Sequence, residues 1–268
     1  MGHTRLGEVP KTQKWDELIE RIAGSVRSGN VATADISVGV IASQTLDATQ
    51  KSLKRAATDP GVRYTFYLIT QVALAARASN WERALDAHGI RVSEDSTVFD
   101  FTVEMQNAID RYLSASRSGS TDLSEMAQQS VGEAIASLSG PRTVSMFGGR
   151  GEDARNAIRS LSTKKGFGDL GQRFFGRFVA RFLNFYLSRV TAASLGSPRV
   201  RDLGDIARFN DALRVHCDQS ARIVRDFCGE WFSKTAYREG IDLKNTSRFL
   251  AVAFKKLRSE LDRQGSEL

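Results

Sequence analysis

Residues 166–190 read GFGDLGQRFFGRFVARFLNFYLSRV, and this stretch decides the fold class. From Leu170 onward, Phe174, Phe175, Phe178, Val179, Phe182, Leu183, Phe185 and Tyr186 recur at helical spacing and occupy roughly half of a helix circumference. So wide an apolar face needs other helices packed around it. Arg173, Arg177 and Arg181 stand at i, i+4 and i+8 and form a polar ridge along the same helix. The phenylalanines are therefore core residues before they are anything else.

Outward from this helix, the same period recurs, with no clean period-two alternation bounded by turn signals. On the C-terminal side Ser197-Pro198 breaks the chain. One long helix is then expected over 203–234, with Ile206, Phe209, Leu213, Cys217, Ile223, Val224, Phe227 and Phe232 inside. A last amphipathic helix is expected over 246–263 through Phe249, Leu250, Val252, Phe254 and Leu257.

On the N-terminal side a helix is expected over 12–26, stopped by Gly29-Asn30, and two more segments fill 31–58 up to the turn Asp59-Pro60-Gly61. Residues 62–78 are apolar nearly all round, the pattern of a central buried helix. Ser79-Asn80-Trp81-Glu82 fits a capping box with Ser79 as cap, starting a short helix that stops at Gly89. Helices follow over 98–115, 122–138 and 152–161. The last two are separated by Ser139-Gly140-Pro141 and by Gly148-Gly149-Arg150-Gly151, a candidate hinge. The expectation is an all-α bundle of about nine to ten helices in two closely packed halves, 1–140 and 141–268.

With 268 residues, 41% hydrophobic and 26% charged, the chain can bury a sizeable core. No run approaches the ~18 apolar residues of a membrane span, and Met1 to Pro10 has no apolar signal region, so a cytoplasmic location is expected. Cys217 and Cys228 fall in one expected helix, roughly 16 Å apart, too far to pair or to share a zinc ion. His3, His88 and His216 are the only imidazoles, and no Gly-x-Ser-x-Gly elbow occurs. Neither a metal nor a cofactor is expected. Trp15, Trp81 and Trp231 lie on apolar faces and read as core.

Charge is the one compositional anomaly. Residues 1–140 carry 14 basic and 17 acidic side chains, 141–189 carry 10 and 3, and 190–268 carry 14 and 11. The middle segment alone thus matches the net charge of +7. In the functional reading, Arg142, Arg150, Arg155, Arg159, Lys164, Lys165, Arg173, Arg177 and Arg181 form a surface that meets nucleic acid or an acidic protein partner. The competing reading pairs these arginines with carboxylates of the acidic N-terminal half. A non-catalytic accessory or binding protein is favoured, of the kind found as a subunit of bacterial defence or DNA-processing systems. A structural scaffold subunit without nucleic-acid contact is an alternative.

Three motifs bear on chemistry. Gly166, Gly168 and Gly171 match Gly-x-Gly-x-x-Gly, but the residues before them read as a helix end rather than a strand, which argues against dinucleotide binding. A loop opening a helix is the simpler reading, with an anion at the helix N-terminal amides as the alternative. Arg83-Ala-Leu-Asp-Ala-His88 resembles the Arg-x4-6-His motif of HEPN ribonucleases, which are helical bundles. That resemblance implies metal-independent RNA cleavage, with Arg83 polarising the phosphate and His88 performing acid/base work. Ala84 stands where that family commonly has a polar residue. Without the motif, His88 simply caps a helix C-terminus ahead of Gly89. Asp242-Leu243-Lys244 and Glu152-Asp153 would suit a metal-dependent nuclease only on a sheet, which the pattern does not offer.

Overall fold

A computed structural model describes residues 5–6, 9–23, 37–116, 119–139, 151–238 and 240–266. Among them every regular element is helical: α1 (Gln13–Ala23), α2 (Val38–Ala48), α3 (Gln50–Ala56), α4 (Pro60–Ala75), α5 (Trp81–Asp86) and α6 (Val98–Ala115). There follow α7 (Asp122–Ser139), α8 (Gly151–Ser160), α9 (Lys164–Ala193), α10 (Leu203–Ser220), α11 (Arg225–Arg238) and α12 (Leu243–Ser266). The all-helical expectation holds. The stop at Gly29-Asn30 and the proposed hinge up to Arg150 lie outside the described residues.

The central element is α9, which packs against α7, α10 and α11. Phe167, Phe174, Phe175, Phe178 and Phe182 are fully buried along it. Phe66 of α4 meets Phe174 at 5.4 Å and Phe175 at 5.5 Å, and stacks on Phe249 of α12 at 5.2 Å between ring centroids. Three helices far apart in sequence thus share one aromatic centre, and a single hydrophobic cluster runs from Leu6 to Leu261. Tilted and offset ring pairs of this kind suit the aromatic quadrupole.

Helix α4 starts where its sequence dictates. Asp59 accepts from the amides of Gly61 and Val62 at 2.9 and 3.0 Å, and Pro60 needs no such partner at the first helical position. A methyl group on Gly61 would lie 2.2 Å from Cβ of Ser124, so this glycine lets α4 and α7 approach. The short α5 is capped by Asn80, which accepts from the amide of Arg83 at 2.8 Å; the expected cap at Ser79 is therefore one residue early. The structure also shows a capping box not expected from the sequence, Thr97 with Asp100, at the start of α6.

Two departures in the C-terminal half matter for function. Helix α9 begins at Lys164, a full turn and more before Leu170, so Gly166, Gly168 and Gly171 lie inside it. The stretch read as one helix over 203–234 is α10 and α11, joined by a 3-10 turn at Ala221–Val224. The tighter winding shifts the apolar phase, which leaves Ile223 exposed while Val224 is buried. Cys217 and Cys228 consequently sit on separate helices, both fully buried.

Candidate functional site

Glycines in α9 serve helix contact rather than an anion. A methyl group on Gly168 would stand 2.8 Å from the carbonyl oxygen of Arg225, on Gly171 2.5 Å from Sγ of Cys228, and on Gly176 2.9 Å from Cα of Asp218. From the other side, one on Gly229 would stand 2.2 Å from the carbonyl oxygen of Lys164. Small residues on both helices bring α9 and α11 into backbone contact, and Phe167 stacks on Phe232 at 4.0 Å beside them. The amide of Gly166 is already taken by the Thr163 hydroxyl at 2.9 Å. The loop reading of Gly166 to Gly171 is therefore replaced by a helical one: a capped helix start with closely packed glycines.

The arginine ridge of α9 points at carboxylates of this same chain. Arg177 donates to Glu133 of α7 at 2.7 Å, and Arg181 donates to the other oxygen of Glu133 and to Gln129 at 3.0 Å. Arg173 donates to Asp218 of α10 at 2.5 Å. Burial works against the ionised form of Glu133, but the guanidiniums of Arg181 and Arg177 outweigh it and hold the carboxyl below its ordinary range. Only 17% and 24% of the Arg177 and Arg181 side chains face solvent.

The remaining members of the expected basic surface divide. Arg155 of α8 donates to the carbonyls of Ala78 and Ser79 at 2.5 and 3.3 Å, satisfying groups just past the end of α4. Lys164 pairs with Glu230 at 3.2 Å. Arg159 and Lys165 are exposed with no partner among the described residues. Arg142 and Arg150 lie outside the described residues.

Arg83 and His88 occupy different settings. Arg83 is exposed in the last turn of α5, whereas His88 lies beyond the helix end, half-buried, its ring 6.2 Å from that of Tyr67 at a steep angle. The Ile90 amide donates back to the Leu85 carbonyl at 3.1 Å, and Gly89 takes φ +77°, the left-handed ending that stops α5. Burial lowers the His88 pKa, and the guanidinium held at this helix end is that of Arg111, which donates to the Gly89 carbonyl.

A surface that the sequence does not reveal lies between α3 and α12. It is a groove of about 470 Å³ with Leu53, Ala57 and Phe254 buried beneath it and Ala251 exposed along it. Lys54 stands on the α3 side and Lys255 on the α12 side, both exposed and without a partner among the described residues. At one end Arg258 bridges Asp47 at 2.9 Å and Asp262 at 3.4 Å. Burial pushes the Asp262 carboxyl up from its ordinary value, Arg258 opposes this, and the charge of Asp47 adds to it. A second hollow of about 390 Å³ beside Arg21, Arg199 and Arg201 contains Asp205, held at about 2 by Arg208 and by the Arg201 amide.

Among the described residues no group of three or more His, Cys, Asp or Glu is placed to hold a metal ion, and no helix is long and apolar enough to cross a membrane. Burial raises both cysteine thiols far above their ordinary range, leaving them unreactive at neutral pH. No protein-family model, curated protein or solved structure matches the chain.

Proposed function

We propose that the protein is a non-catalytic helical binding subunit that receives an acidic protein partner. The observation that carries this reading is the α3–α12 groove, where an apolar floor lies between lysines that have no partner among the described residues. An amphipathic helix presents both an apolar stripe and charge, so it matches such a groove. A phosphodiester backbone offers charge but no apolar stripe to lie along Ala251 and fill the groove. The arginine ridge supports the same choice, because Glu133 and Asp218 already neutralise part of it. A cytoplasmic setting belongs to this proposal.

A second reading, nucleic-acid contact by segment 141–189 in a bacterial defence or DNA-processing assembly, draws on Arg159 and Lys165, which have no partner among the described residues near the junction of α8 and α9. The two readings separate in one titration. The probes are a labelled amphipathic peptide helix with phenylalanine at i and i+4 amid glutamates, and labelled single- and double-stranded DNA and RNA. The peptide should bind and be lost in Lys54→Glu with Lys255→Glu, with helical content unchanged. Nucleic-acid binding that weakens by ~10³ between about 50 and 200 mM salt, with no peptide binding, overturns the proposal in favour of the second reading. RNA cleavage abolished by His88→Ala would instead establish the HEPN-like alternative built on Arg83 and His88.

A further inference from the structure

We infer that the acidic helix received by the α3–α12 groove is α6 of a second copy of this chain, so that the protein associates head to tail. The inference rests on the acidic-partner reading of the groove and names the partner. Its first support is charge. Residues 94–110 carry five carboxylates, Glu94, Asp95, Asp100, Glu104 and Asp110, and no basic residue. This is the complement of the Lys54 and Lys255 rims.

Its second support is shape. On α6 the side chains Phe101, Met105, Ala108 and Ile109 are buried in the chain's own core, which turns the opposite face outward. There Phe99 is 75% and Val103 38% exposed, four residues apart and hence on one stripe; past Val103 the stripe turns toward α7, where Gln106 lies against Gly132 and Asp110 accepts from Gln128 at 2.9 Å. Large exposed apolar side chains set among acids are what a basic-rimmed apolar groove lacks.

Its third support is rigidity. Phe99 lies in the first turn of α6, where the Thr97 amide donates to Asp100 at 2.9 Å and the Asp100 amide to the Thr97 hydroxyl at 3.2 Å. The apolar knob is therefore presented on a fixed turn, and little ordering is needed on docking. The Thr97 hydroxyl, which donates to the Asp100 carboxylate at 2.7 Å, and the Thr97 amide hold that carboxyl below its ordinary range, so it is charged at neutral pH. Because knob and groove are different surfaces, the contact is heterologous, and each added copy leaves one of each open until a ring closes.

Sedimentation velocity of the full chain over about 1–100 µM at low salt tests this, since screening weakens contacts between exposed charges. The wild type should form species larger than the monomer as concentration rises. Phe99→Glu should weaken association about 30-fold, as loss of a central anchor does, and Lys54→Glu with Lys255→Glu should do likewise. An equimolar mixture of these two variants should stop at a dimer, since one retains only a usable groove and the other only a usable knob. Unchanged far-UV helicity certifies that each variant is folded, and the milder Phe99→Ala serves if Phe99→Glu is not. A wild type that stays monomeric throughout, or that oligomerises regardless of both variants, overturns the inference. If it is monomeric yet the acidic probe peptide still binds the groove, only the identity of the partner falls; if the peptide does not bind either, the acidic-partner reading falls with it.

Discussion

The arginines of α9 and the lysines beside the α3–α12 groove carry the same charge and do opposite things. Arg173, Arg177 and Arg181 stand in the most basic stretch of the chain, yet each ends on a carboxylate of α7 or α10. Lys54 and Lys255 lie outside that stretch, in the short basic runs of α3 and of residues 255–258, and meet no carboxylate among the described residues. Charge density along a sequence therefore does not locate available charge. Arginine suits the first role because its planar fork can donate to Glu133 and Gln129 at once, whereas lysine keeps a strongly hydrated point charge in water.

That contrast can be broken by mutation, and the largest effect is expected where α9 is seated. Gly229→Val would drive a side chain into the Lys164 carbonyl and should destabilise the fold by more than about 3 kcal/mol in urea unfolding. If it is tolerated, the close α9–α11 contact that aims the ridge is not required. Next, Glu133→Ala leaves two mostly buried guanidiniums facing no carboxylate. It should cost about 1–2 kcal/mol, between the values for exposed and fully buried pairs because Glu133 is itself about half exposed.

The pH dependence of that difference sharpens the comparison further. The Glu133 pKa is lowered in the folded state, so its stabilisation is fully present above its ordinary value of 4.5 and is lost as pH falls through the folded value. The gap in melting temperature between wild type and Glu133→Gln should hold from neutral pH to about 5 and narrow on further acidification. A gap independent of pH would show that Glu133 acts through packing alone. The smallest effect is expected at the groove, where Lys54→Ala with Lys255→Ala should change stability by no more than about 0.5 kcal/mol. A larger loss there would mean that these lysines are structural after all. Thiol labelling gives a separate check: Cys217 and Cys228 should react only as fast as the chain opens.

Much of the helical frame is legible in the amino acids. Helix α6 has the expected bounds, Val98–Ala115, because its apolar spacing is regular and Thr97 closes its start. The fully buried phenylalanines of α9 follow directly from their three-four spacing. The start of α9 is not legible in the same way, since glycine and the Gly-x-Gly-x-x-Gly pattern read locally as a loop. What fixes their role is close packing: Gly166 lies against the Ser160 carbonyl of the preceding turn, while Gly168 meets the Arg225 carbonyl and Gly171 the Cys228 side chain of α11, far along the sequence. Likewise, the period of 203–234 reads as one helix, while the 3-10 turn places Ser220 2.7 Å from Gln264 of α12.

By itself the sequence determined that this protein is helical, where most of its helices run and which of their faces are apolar, because the 3.6-residue period and the caps are local properties of the chain. It also determined that cations concentrate between residues 141 and 189. Only the tertiary structure decided which of those cations are neutralised, which glycines are points of helix contact, and that α3 and α12 leave a lysine-edged groove between them. The reason is physical: pairing and exposure depend on which helices become neighbours, and neighbours here are brought together by a shared aromatic centre rather than by proximity along the chain.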